Sequence, residues 1–354
     1  MEATVSSKQF MEDVAVAARY LTKLDNIKDK TVVITGATGL IGRMLVYTLA
    51  KLNRDRNAGI TIIAISRNFL KANSLFNLIL KDNVYIYSRD ITKRFEVEDI
   101  GVIDIMVHAA ADTNSKNMMN EPVKVINSIF SGTQNVLNFA VQHKVKKFIF
   151  LSSMEVYGTT TLQDGPITES FNGRLDLRST RTSYPEAKRL AELLVYSYGE
   201  KCGFKSVVLR LTQTFGPGVN LNDGRVFAVF ARQALQHENI VLKTKGETIR
   251  SYLYVRDAIT ALLHVMVTNN IADTFNVSNE KVTISIYEMA TIIADIVGNG
   301  VKIVIEEQDS KQNGFAPTLK MQLSSHKLMM TGWEPQIGVQ EMFERLLASL
   351  VNQI

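Results

Sequence analysis

The stretch TVVITGATGLIG, residues 31–42, restricts the possible folds more than any other part of the chain. A β-branched apolar run breaks at three glycines spaced three apart, Gly36, Gly39 and Gly42, and leads into the helical segment RMLVYTLAKLN. Such a run reads as a strand, the glycines as a turn in which backbone must approach something closely, and the rest as a helix. The same alternation recurs: strands are predicted at 60–66, 84–88, 103–110, 146–153 and 205–211, with helices between them, including 127–143 and 185–201. Apolar strands separated by helices imply a parallel sheet covered on both faces.

Residues 1–211 are therefore predicted to hold an N-terminal helix and a doubly wound α/β domain of the Rossmann kind. The helix is expected over 8–24, with Phe10, Met11, Val14, Ala18, Leu21 and Leu24 on its apolar face. After Leu211 the pattern loosens into the glycine-rich TFGPGVNLNDG and shorter elements. Residues 212–354 are read mainly as a smaller α+β substrate-binding domain, from which some segments return to the first.

At 354 residues and 46% apolar content the chain has ample material for buried cores. A lone cysteine, Cys202, rules out an internal disulfide, and with no basic-then-apolar leader the expected location is the cytoplasm. Every apolar run is broken by charge or glycine before the roughly 20 residues of a membrane span, so no membrane association is expected. The net charge of +5 comes from basic residues scattered among 35 acidic ones, without aromatic interleaving, which argues against nucleic acid. His108, His143, His237, His264 and His326 lie far apart, outside any HExxH or Cys/His cluster, so no metal site is expected. There is no Walker lysine and no G-x-S-x-G elbow.

Gly36, Gly39 and Gly42 sit where glycine lets backbone approach a pyrophosphate and where a helix N-terminus supplies amide donors, so Gly36, Thr38, Gly39, Leu40, Ile41 and Gly42 are candidate contacts to a dinucleotide. A ligand-free tight turn would carry the same glycines. A chain selective for NAD usually ends its second strand with an acid on the ribose 2'-hydroxyl. Here that strand ends in Ser66, Arg67 and Asn68, and a hydroxyl beside a guanidinium suits a 2'-phosphate, which favours NADP within an NAD(P) assignment. An Arg67 free in solvent is the alternative.

In SYPEAKR, residues 183–189, Ser183 and Glu186 fit a capping box, which would place Tyr184 and Pro185 in the first helical turn. Four residues apart, Tyr184 and Lys188 share a helix face. An ammonium and a positive helix end both favour phenolate, which would make Tyr184 a usable base. On most helices such a pair has no function. Here it follows the fifth strand of a dinucleotide fold, whose end FLSSMEVYG carries Ser153 and Glu155 to the sheet edge where ligands bind.

TGATGLIG, HAAA at 108–111, LSSMEVYG and YPEAK, in this order, resemble the extended short-chain dehydrogenase/reductases: the nucleotide-sugar epimerases, dehydratases and decarboxylases. The resemblance spans about residues 30–335. It implies that Ser153 and Tyr184 share the proton of a sugar hydroxyl while nicotinamide takes hydride from the same carbon, and that Lys188 holds the cofactor ribose and lowers the tyrosine pKa. Asp90 resembles the aspartate at the adenine, with Ile91 beside it, and Ala109, Ala110 and Ala111 the run that lines the cofactor. Glu155 matches a glutamate of dehydratases and UDP-glucuronate decarboxylases, able to act as a base on an acidified C–H. Dehydratases place an aspartic acid just before it, where this chain has Met154, which cannot donate a proton.

TFGPGVNLNDGRVFAVFARQAL, with Arg225, resembles the decarboxylase branch most. Arg250 matches an arginine on the nucleotide diphosphate, a role suited to a guanidinium fork, and Thr113 and Gln213 are further candidate substrate contacts. Gln213 and Ile129 stand where the family usually has asparagine. The expected partner is a nucleotide-diphosphate sugar oxidised at C4. Decarboxylation of a UDP-hexuronate is the preferred outcome, with 4-epimerisation, dehydration or NADPH-dependent reduction, and a non-catalytic cofactor sensor, as alternatives. The resemblance also implies a homodimer through the tyrosine-bearing helix and its neighbour, and Leu190, Leu193, Leu194, Val195, Tyr196 and Tyr198 place apolar groups on several sides of that helix, as a helix facing both core and partner would; one broad core face is the alternative.

Overall fold

A computed structural model describes residues 3–98, 100–113, 115–307, 319–351 and 353–354. Strands β1 (Thr31–Thr35), β2 (Thr61–Ser66), β3 (Val84–Ser88), β4 (Ile105–His108), β5 (Lys147–Ser153) and β6 (Lys205–Leu211) alternate with helices as the hydrophobic pattern requires. Three further strands, β7 (Gln213–Phe215), β8 (Ile240–Leu242) and β9 (Ile249–Tyr254), precede β10 (Thr274–Val277), and β11 (Asn279–Ser285), β12 (Ile303–Ile305) and β13 (Lys320–Met321) follow it. The main sheet has seven strands in the order β10-β6-β5-β4-β1-β2-β3, and every pairing in it is parallel. Order reverses between β1 and β4, which opens the crevice that dinucleotides occupy in such folds.

The helices Lys8–Tyr20, Leu40–Arg56 and Val255–Val267 cover one face, where Phe10, Leu45, Leu49 and Leu262 join a single apolar cluster. Pro122–Gln142 and Ser183–Cys202 cover the other, with Val136, Phe139, Ala191 and Val195 in a second cluster. A third cluster joins the helices Val226–Leu235, Ile286–Val297 and Val339–Val351 to a separate sheet, β11-β9-β13 with β7 also paired to β9. Among the described residues no helix is long and apolar enough to cross a membrane, and no cluster of His, Cys, Asp or Glu is placed to hold a metal ion.

Three local expectations need correction. The N-terminal helix ends at Tyr20, because Leu21 turns to extended backbone and the chain passes into a short 3-10 turn at Leu24–Asn26; Met11 faces solvent while Phe10 and Val14 are buried. The predicted helix at 127–143 begins earlier, at Pro122, a residue suited to a first helical turn. The capping box at Ser183 does not form. Ser183 is itself helical, Thr182 occupies the cap position with no side-chain cap bond, and Glu186 pairs with Arg189 instead. The preceding 3-10 turn, Thr180–Thr182, already brings the chain into the helix.

Candidate active site

The glycine turn is closed on itself. Gly36 has a left-handed φ of +67°, and a Cβ there would lie 2.7 Å from the Ala110 nitrogen and 2.8 Å from the Ala109 carbonyl carbon. A Cβ on Gly42 would lie 2.3 Å from the Gly36 oxygen. The Gly39 N–H donates to that oxygen at 2.9 Å, and Gly39 caps the helix that begins Leu40, Ile41, Gly42. β1 and β4 are thereby brought together at their carboxyl ends, leaving the helix N-terminus open to an anion. Ala109, Ala110 and Ala111 are half-buried along the same edge, and Thr113 is exposed beyond them.

At the end of β2, the Ser66 hydroxyl lies 3.2 Å from the Thr38 hydroxyl and accepts from the Asn68 N–H at 3.4 Å, while the Asn68 side chain caps the next helix by accepting from the Lys71 N–H. Arg67 is exposed. Asp90, also exposed, accepts from both the N–H and the hydroxyl of Thr92, and these bonds hold its carboxyl below the usual range. Ile91 is buried against Gly132, with its carbonyl bonded by Asn135. These residues fit a dinucleotide: the cradle tolerates no side chain at Gly36 or Gly42, and the second-strand edge carries polar groups.

Ser153 ends β5 and starts a 3-10 turn, Met154–Tyr157, accepting from the Glu155 N–H at 3.2 Å. Beside it Tyr184 stands in the first turn of the helix Ser183–Cys202 and is buried, near enough for the Ser153 hydroxyl to act on the phenol. The Lys188 ammonium donates to the Leu151 carbonyl at 2.7 Å, lies 4.4 Å from the Phe150 ring centre and 6.0 Å from that of Tyr184. The expected activation of the phenol needs correction. Burial pushes Tyr184 well above its ordinary value and the Glu155 charge adds to this, while the Ser153 hydrogen bond and Arg181 oppose it without prevailing. Burial also pushes Lys188 down to about 7. Desolvation disfavours the charged form of both groups, and in a site this dry it outweighs the helix end.

Glu155 is partly exposed and forms a 2.8 Å ion pair with Arg181, from the turn that leads into the tyrosine helix. Met154 points into an apolar cluster with Val156, Tyr157 and Leu323. Ile129 is buried in the core between the sheet and its helices.

On the side of the second sheet, Gln213 begins β7 and Arg250 lies in β9. Arg225 caps the helix Val226–Leu235 and is forked onto Asp223, with its Nη2 at 2.7 Å from Oδ2, while its guanidinium covers the Phe227 ring.

Sequence reasoning passed over two groups here. Arg181 is three residues before Tyr184, and only the tertiary turn shows that it meets Glu155. Glu192, two turns along the tyrosine helix, receives Arg210 of β6 at 2.6 Å and the Ser152 hydroxyl at 2.5 Å, which fixes the helix against the strand end bearing Ser153. Its i+8 position from Tyr184 was the available signal, since it places a carboxylate on the helix face toward the sheet.

The family model for the NAD dependent epimerase/dehydratase family matches residues 32–278, well over half of the chain. The chain belongs to that family and is an NAD-dependent enzyme of this class. It is similar to UDP-glucuronic acid decarboxylase 1 of Xenopus tropicalis, 29% identical over 327 residues that make up 91% of this chain and 72% of that protein. It is also similar to UDP-glucuronic acid decarboxylase 3 of Arabidopsis thaliana, 27% identical over 315 residues, 88% of this chain and 86% of that one. Among solved structures, the UDP-glucuronic acid 4-epimerase of Bacillus cereus in complex with UDP-glucuronic acid and NAD superposes with a TM-score of 0.76 at 20% identity, covering 92% of this chain and 100% of that one. At that identity the superposition speaks for the fold.

Proposed function

We propose that this protein is a UDP-hexuronate decarboxylase. The observation that carries the reading is the Glu155 carboxylate, tethered to Arg181 at 2.8 Å beside Ser153 and the buried Tyr184, with Met154 offering no acid to expel a hydroxyl. The names of the Xenopus and Arabidopsis relatives support the same reaction.

In this reading Ser153 and Tyr184 hold the sugar 4-hydroxyl, and Tyr184 takes its proton once the positive charge of a bound nicotinamide ring offsets the burial that keeps the phenol neutral in the free chain. Bound NAD(P) would supply the acceptor, and later the donor, of the C4 hydride. Gly36, Thr38, Gly39, Leu40, Ile41, Gly42, Asp90 and Ile91 hold its adenosine and pyrophosphate, and Ala109, Ala110, Ala111 and Lys188 its nicotinamide half. Once C4 is a ketone, the C5 carboxylate belongs to a β-keto acid; the C5–C6 bond breaks, carbon dioxide leaves, and the electron pair passes to O4, which the Tyr184 hydroxyl stabilises. Glu155, oriented by Arg181, relays to C5 a proton taken up from solvent water. Tyr184 finally returns its proton to O4. Arg250, Gln213, Arg225 and Thr113 bind the nucleotide and sugar, within a substrate-binding region formed mainly by residues 212–354.

Incubation with UDP-glucuronate and NAD, followed by mass spectrometry, tests the assignment. Loss of carbon dioxide supports it. An unchanged mass with inverted C4 means epimerisation, which needs only Ser153 and Tyr184; loss of water means dehydration, and gain of hydrogen from NADPH means reduction. Equal inertness of the parent and Tyr184→Phe with intact cofactor binding would mean a sensor. We assign Arg67 to a 2'-phosphate and hence a preference for NADP; tight NAD binding unchanged in Arg67→Ala would refute this. We further propose a cytoplasmic homodimer built on the helices Pro122–Gln142 and Ser183–Cys202, whose Val123, Leu190 and Leu193 are exposed. A monomer on gel filtration at micromolar concentration would exclude it.

A further inference from the structure

β9 carries two polar groups that lack partners. The Arg250 Nε and the Tyr252 hydroxyl are both buried, and neither makes a hydrogen bond among the described residues. Leaving a buried donor unpaired is unfavourable, and folded chains rarely leave two side by side without a use for them. Residues two apart in a strand share a face, so Arg250 and Tyr252 project from the same side of β9. Parallel pairing sets Gln213 opposite Tyr252, which puts the Gln213 side chain on that face as well.

The tyrosine ring is held in place from behind. It meets Phe215 edge-on, with ring centres 5.9 Å apart, and Phe215 stacks on Phe227 at 4.3 Å, over which the Arg225 guanidinium lies. Three residues assigned above to the nucleotide sugar, Gln213, Arg225 and Arg250, therefore flank the aromatic stack that includes Tyr252. A phenol packed this way has few other rotamers, so its hydroxyl presents a fixed donor. Burial pushes that phenol up to about 12, with the Arg250 charge opposing, so it is protonated and able to donate at neutral pH.

We propose that the Tyr252 hydroxyl is a further substrate-binding group, donating to a phosphate oxygen of the nucleotide diphosphate alongside Arg250. This rests on the nucleotide-sugar reading above. It assigns to Tyr252 a share of affinity that a phenylalanine, with the same ring and packing, would not supply.

The test is Tyr252→Phe, with UDP and NAD affinities measured by calorimetry and stability by thermal unfolding. A hydrogen bond to a charged acceptor is worth about tenfold or more in affinity. Tyr252→Phe should bind UDP about tenfold more weakly, bind NAD as the parent does, and unfold at the same temperature or slightly higher, since a buried unpaired group has been removed. UDP affinity equal to the parent's would overturn the proposal. So would a fall in unfolding temperature, which would mean that the hydroxyl serves the fold. A parent that binds NAD but no UDP would instead remove the nucleotide-sugar reading, and this inference with it.

Discussion

Gly36→Ala should damage cofactor binding more than its single added methyl suggests. The residue sits at φ +67°, where an L side chain costs roughly 1–2 kcal/mol, and its Cβ would lie 2.7 Å from the Ala110 nitrogen and 2.8 Å from the Ala109 carbonyl carbon. Both obstacles are backbone, so no side chain can swing aside; overpacking of this kind adds about 1–3 kcal/mol. A total of about 2–5 kcal/mol follows, divided between lower stability and displacement of the turn from β4. Any part that moves the turn opens the cradle, and each 1.4 kcal/mol or so lost there weakens the dinucleotide tenfold. Titration with NAD, followed by calorimetry, should show at least a tenfold rise in Kd, with a lower unfolding temperature. Gly224→Ala is the control: its Cβ meets nothing within 4 Å, and the backbone there is not left-handed. An NAD affinity for Gly36→Ala within twofold of that control would refute the claim that this turn is shaped by its glycines for a pyrophosphate.

Arg210→Met should cost about 3–5 kcal/mol in urea unfolding, because it leaves the Glu192 carboxylate buried without its cation; adding Glu192→Leu should recover most of that, and a single variant as stable as the double would contradict the reasoning. The buried Lys147 ammonium donates to the carbonyls of Val265, Met266 and Thr268 at the end of the helix Val255–Val267, so Lys147→Met should lose about 1–3 kcal/mol, read from the same unfolding midpoint. Asp257 is fully buried, and burial pushes its carboxyl up to about 6, against hydrogen bonds from the N–H groups of Ile337 and Gln336. Because the folded value lies above the unfolded one, the group favours the fold at low pH and loses that contribution as pH rises from about 4 to about 6. Asp257→Asn should therefore gain on the parent across that window, by on the order of 3 kcal/mol, and parallel unfolding temperatures from pH 4 to 7 would refute the assignment.

The six strands before residue 212 were legible because each is an apolar run bounded by glycine, charge or a helical period, and such runs survive whatever packs on them. β10 was not. Thr274–Val277 is four residues long and joins β6 only because the chain returns from the second sheet, so its place depends on a pairing with Val208–Leu211 that no local pattern encodes. The capping box failed for a related reason: SYPE has the right letters, but the turn at Thr180–Thr182 starts the helix one residue early and frees Glu186 for Arg189. At the site, spacing along one element was reliable, since Tyr184 and Lys188 needed only the helical period to face the same way. Electrostatics was not, because a pKa depends on how much water the rest of the fold removes. Sequence supplied the ammonium and the helix end that favour phenolate; the structure adds complete burial of both groups, and burial prevails. The pairing of Glu155 with Arg181 has the same character, because the two meet only where the end of β5 and the start of the tyrosine helix converge. Residue types and periods thus predict which groups reach a site, whereas the charges they hold there follow from long-range packing, and in this chain that packing ties the two carboxylates near Ser153, Glu155 and Glu192, each to its own arginine.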